Sequence, residues 1–158
     1  MRILSALANL CAILAGLLLT VITLLTCVSL IGRNTTGWTI AGDFELTGVA
    51  TGAAIALFMP LCQLKRGHII VDFFTAKASE GTNAFLDRVG ALCVSAAFAL
   101  MAWRTLLGGI NAHNNFSGTM MLGFPEWTVY AAMVPPFLLC SLIALVQTFS
   151  SPVQGAQA

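Results

Sequence analysis

The feature that most constrains this chain is a run of thirty residues, Ile3–Gly32, without a single charged side chain. At about 1.5 Å per residue a helix of that length reaches roughly 45 Å, more than the roughly 30 Å of a bilayer's hydrocarbon core. Its apolar stretch also far exceeds the roughly 7–15 residues of a secretory signal's core, and Cys11 follows Leu10 rather than a small residue. The run is therefore expected to be a retained membrane helix, over about 3–31, that tilts or projects from the membrane.

Three further runs repeat the pattern. Leu46–Leu64 is uncharged, with Pro60 in its final turn. Val89–Trp103 is uncharged over only fifteen residues, too short alone, so its helix is expected to extend over 83–108. Arg88 and Arg104 would then reach toward the two headgroup layers of the membrane lipids. Trp127–Phe149 is uncharged and carries Pro135-Pro136 near its middle, where two missing N–H donors should kink it. The expected fold is an all-α membrane protein: a single domain over 1–158 of four transmembrane helices (3–31, 46–64, 83–108 and 127–149), with a short amphipathic interfacial helix between the second and third spans.

Composition agrees: hydrophobic residues make up 58% of the 158 positions and charged residues 8%, against about 25% charged in soluble domains. Seven Lys and Arg and six Asp and Glu could not cover a water-soluble surface of this size. A net charge of +1 gives no basis for nucleic-acid binding. With the N-terminus inside, the inner side holds Arg2, Lys65, Arg66, Lys77 and Arg88, and the outer side Arg33 and Arg104. That bias places both termini in the cytoplasm. Trp38 then lies outside, and Trp103 and Trp127 flank the outer loop as amphipathic anchors.

The segment 65–80 reads as an amphipathic cytoplasmic element. Lys65, His68, Asp72, Thr75 and Ser79, spaced 3, 4, 3 and 4, share one helical face, while Ile69, Ile70, Phe73 and Phe74 occupy the other. His68 and Asp72, one turn apart, are placed to form a charge-assisted pair; a merely solvated polar face is the competing reading. Ladders of small residues, Gly48–Gly52–Ala56 on the second span and Ala8–Ala12–Gly16 on the first, would let helices approach closely. Pro125 and Glu126 suit the first turn of the last helix.

All six acids lie in loops or within about a turn of a span's end, and no two spans share a matched Gly/Pro interruption. A self-sufficient ion-coupled carrier is thereby disfavoured. A bis-histidine haem anchor is disfavoured too, since His68 and His113 fall on opposite sides of the bilayer. No catalytic triad, thiol pair or metal-ligand spacing occurs. The five cysteines (Cys11, Cys27, Cys62, Cys93 and Cys140) read as small buried hydrophobes. Neither an enzyme nor a cofactor is expected.

The order of four spans, the basic stretch Arg66-Gly67-His68-Ile69-Ile70-Val71-Asp72, and Gly123-Phe124-Pro125-Glu126-Trp127 before the last helix resemble the small membrane subunit of TRAP transporters, the DctQ-like family. The resemblance covers roughly Leu46–Val146. It implies a scaffold subunit in the bacterial inner membrane. Its partners would be a large membrane subunit, which carries the substrate and sodium sites, and a periplasmic binding protein that delivers an organic acid. The residues it marks as structural or partner-contact candidates are Arg66, Gly67, His68 and Asp72, beside Arg104, Trp103, Trp127, Gly48 and Gly52. The small subunit of the tripartite tricarboxylate transporters is the alternative within this class, and a membrane anchor of a redox enzyme the alternative outside it.

Overall fold

A computed structural model describes residues 2–38, 40–65 and 80–149. These form four α-helices: α1 (Arg2–Thr35), α2 (Asp43–Leu64), α3 (Glu80–Asn114) and α4 (Trp127–Phe149). Each is long and apolar enough to cross a membrane, and no strand occurs among the described residues. The expected interfacial helix falls almost wholly on 66–79, outside the described residues. The helix bounds for the last span are the expected ones. α3 is longer than expected at both ends, and at 35 residues it spans about 52 Å.

The helices do not close into a four-square bundle. α2 packs on α1 and on α4, α3 packs along α4, and α1 meets α4 only slightly. The result is a row in the order α1, α2, α4, α3, in which each outer helix has one main neighbour. In lipid no hydrophobic drive closes such a row, so close backbone approach and polar bonds between helices must hold it.

On α1 the buried positions are Ala8, Ala15, Ile22 and Ser29, a seven-residue repeat. Such a repeat keeps one seam facing a neighbour along a left-handed crossing. The hydroxyls of Thr20, Thr23 and Thr26 would be costly in hydrocarbon; each donates to the carbonyl four residues back, at 2.7–2.8 Å. The helix gives way to a turn at Gly37, whose φ is +73°.

The core lies where three helices meet. Ala56 of α2, Phe98 and Ala102 of α3, and Phe137 and Cys140 of α4 form one cluster, with Met59, Val94 and Met133 against it. The Phe98 and Phe137 rings stack at 6.4 Å between centroids. A second cluster ties the N-terminal end of α1 to α4 through Ala8, Leu139 and Ile143. Gly108 and Gly109 of α3 leave the space that the Tyr130 side chain fills; a Cβ on Gly109 would come within 2.9 Å of it.

α4 continues as one helix through Pro135 and Pro136, and Pro136 is fully buried. Lacking N–H groups, the two prolines leave the carbonyls of Ala131 and Ala132 without their usual helical donors. α3 ends in a Schellman arrangement: the Phe116 N–H donates to the His113 carbonyl at 3.2 Å and the Ser117 N–H to the Ala112 carbonyl at 3.0 Å. Phe116 takes the left-handed position, φ +51°, where glycine is usual, and its ring is almost fully exposed.

Candidate subunit-docking faces and the outer clamp

Three sets of polar bonds join the helices, one at each level of the row. At the end where α1 passes into α2, the Ser29 hydroxyl of α1 donates to the Asp43 carboxylate of α2, and Thr26 and Thr47 approach to 3.4 Å. In the middle of α3 and α4 the bonding is reciprocal. The Ser95 hydroxyl donates to the Ser141 carbonyl at 3.0 Å, and the Ser141 hydroxyl donates to the Ser95 carbonyl at 3.1 Å. At the opposite end, where α2 and α4 finish, the Gln63 amide donates to the Gln147 side-chain oxygen at 3.0 Å, and the Gln147 amide returns a bond to the Gln63 carbonyl at 3.0 Å. Serine and glutamine suit this task because each offers both donor and acceptor, leaving no polar atom to the lipid.

The loop between α3 and α4, 115–126, is folded back on itself. Thr119 N–H donates to the Phe124 carbonyl, Gly123 N–H to the Thr119 carbonyl and Glu126 N–H to the Ser117 carbonyl, at 2.9–3.1 Å. Glu45, in the polar first turn of α2 before its uncharged run begins at Leu46, reaches across to this loop. Its carboxylate accepts the N–H of Met121 at 2.9 Å and of Leu122 at 3.2 Å. Those bonds, the Met121 one foremost, hold the carboxyl below the ordinary glutamate range. Leu122 in turn lies over Gly42, whose φ of +77° and lack of a Cβ both suit that place. The loop is thus clamped to the head of α2, a link that sequence spacing did not reveal.

The expected contact residues divide. Gly52 faces the Met133 methyl, 3.1 Å from where its Cβ would be, whereas Gly48 is exposed and meets nothing. Of the first ladder, Ala8 is buried, but the seam then passes through Ala15 rather than Ala12 and Gly16. Trp127 packs edge-on against His113 at 5.6 Å, and both line an apolar groove of about 520 Å³ with Leu106, Ile110, Tyr130 and Pro135. Trp103 is largely exposed and Arg104 is exposed. Arg66, Gly67, His68 and Asp72 lie outside the described residues. Among the described residues no group of His, Cys, Asp and Glu could hold a metal ion.

The distinctive property of the described residues is exposed helix face. Compared with known families, residues 22–152 match the model of "Tripartite ATP-independent periplasmic transporters, DctQ component". The chain belongs to the DctQ family. A search of curated proteins gave no match, nor did one of solved structures. A DctQ component is the small permease component of a TRAP transporter, a part of a transport system and not an enzyme family. The match covers α2, α3, α4 and the C-terminal part of α1.

Proposed function

We propose that this DctQ component serves as a static support for the large membrane subunit of its transporter. That complex would use a sodium gradient to take up an organic acid, such as a dicarboxylate or a sialic acid, delivered by a periplasmic binding protein. The observation that carries the reading is the open row of α1, α2, α4 and α3 in a member of a tripartite family. Two helices with one main neighbour each leave long faces that a partner subunit can cover. The excess of Lys and Arg on one side supports an inner-membrane placement with both termini in the cytoplasm.

The proposal is tested in proteoliposomes holding the large subunit with or without this chain. The loaded binding protein is added outside, and a sodium gradient is imposed. Uptake of a dicarboxylate or sialic acid should require the chain and the gradient; uptake that is equal without the chain would refute the support role. In the same assay His68 and Asp72, which we propose fix the cytoplasmic segment, are each replaced by Ala. Both variants should lower recovery of the large subunit and uptake, and unchanged values would remove that assignment.

A further inference from the structure

α3 carries one buried seam and two exposed rows. The seam, through Ser95, Phe98, Ala102 and Ala112, is buried against α4. One exposed row runs through Leu92, Ala96, Ala99, Trp103, Leu106 and Ile110. The second exposed row, a seam through Gly90, Cys93, Ala97, Leu100, Arg104 and Leu107, is spaced 3, 4, 3, 4 and 3, and it alone of the two carries a charge. At about 100° per residue, Ser95 and Leu100 point about 140° apart, so the second row faces away from the rest of the chain. Its spacing is that of a helix built to pack lengthwise on another. Its inner half is small, and a Cβ added to Gly90 would meet nothing.

Arg104 gives this seam a chemistry. Cross-helix contacts fix its depth: Gly108 and Gly109 meet Tyr130, Phe98 stacks on Phe137, and Gly52 meets Met133. Arg104 therefore lies level with about Met133 and Gly52. Six residues separate Met133 from Trp127, and six separate Gly52 from Leu46. Both routes place Arg104 about 9 Å beneath the outer ends of the apolar spans. Arg88, by the Ser95–Ser141 register, is level with about Thr148, at the inner end of α4. The two arginines are thus unlike: Arg88 is at a boundary and Arg104 is within the outer leaflet. Arg104 makes no hydrogen bond or ion pair with any described residue. The acids at the outer end are Asp43, Glu45 and Glu126; the first two are engaged by Ser29 and by the clamped loop, and Glu126 sits in that loop before the first turn of α4.

We propose that the exposed seam of α3 is the docking face for a transmembrane helix of the large subunit, and that an Asp or Glu on that helix pairs with Arg104. The inference rests on the subunit reading above and adds the surface and the charge to it. An unpaired guanidinium at that depth is costly in hydrocarbon. A partner carboxylate offers a planar, bidentate match. The small residues inward of Arg104 let the partner backbone come close enough to bring the carboxylate to it.

The test is co-expression of this chain, tagged, with the large subunit of the same transporter, followed by detergent purification and quantitation of the large subunit recovered. Arg104→Ala and Ala97→Trp should each cut recovery at least fivefold, and Arg104→Lys should retain most of it. Leu142→Trp, on an exposed part of α4 away from the seam, should leave recovery unchanged. Arg104→Glu should fail and be rescued by exchanging one Asp or Glu for Lys in a membrane helix of the large subunit. Helical circular dichroism and a single gel-filtration peak for each variant separate lost docking from lost folding. If wild-type chain recovers the large subunit but Arg104→Ala and Ala97→Trp recover it equally well, the seam assignment is wrong, and Arg104 then serves lipid phosphate instead. If wild-type chain recovers no large subunit, the subunit reading itself falls, and the seam with it.

Discussion

At the scale of single residues, the outer clamp shows how much a short contact can depend on one carboxylate and one glycine. Glu45 binds two backbone N–H groups of a loop 76 and 77 positions away in sequence, and Gly42 leaves the space that Leu122 occupies. Because folding lowers the Glu45 pKa, the clamp's contribution is complete above the unfolded value, about 4.3. It is lost as pH falls through the lower, folded value. The melting-temperature difference between wild type and Glu45→Gln in detergent should therefore be level from neutral pH down to about pH 5 and then shrink. A difference that grows with acidification would contradict the geometry. None of this was legible in the sequence. Glu45 reads as a first-turn acid at a helix start, a local role that conceals its partner. The start of α4 at Trp127, by contrast, was legible, because Pro125 and Glu126 act locally.

At the scale of elements, the four helices were readable from uncharged runs, since length and apolarity are properties of each segment alone. Their facing was not. A ladder of every fourth residue, such as Ala8–Ala12–Gly16, drifts about 40° per step, while a seven-residue repeat drifts only about 20° in two turns. Over a long helix the packed seam follows the latter, hence Ala8, Ala15, Ile22 and Ser29. Gly48 is open for a related reason: α2 has neighbours on two sides, and small residues do not declare which side they serve. Hydroxyls hold α3 to α4, and Ser95→Ala and Ser141→Ala should each cost about 0.6 kcal/mol, within the range up to about 1.7 measured for membrane hydrogen bonds. The double variant's loss should be close to the sum, because each hydroxyl donates to a backbone carbonyl that the other alanine leaves in place; no loss from either single variant would contradict the bonds.

At the scale of the whole molecule, the chain is an incomplete surface. Ile3, Leu17 and Leu24 on α1, and Leu92, Leu100 and Trp103 on α3, are each at least 60% exposed, and the two helices bound the row on opposite sides. Lipid can cover such residues, but it cannot neutralise Arg104 at its depth as well as a carboxylate can. That distinction turns an apolar slab into one with a preferred edge, α3, and it fits membership in a family whose members are parts of a tripartite system. Sequence alone pointed to a partner through what was missing, a buried acid or a repeat. The registered helices add that Arg88 and Arg104 stand at different depths, the observation from which the proposed docking face is argued. The most direct measurement is native mass spectrometry of the tagged chain purified from cells that also express the large subunit. The predicted result is a single species holding one copy of each. Recovery of the chain only as a monomer or as copies of itself would contradict the account.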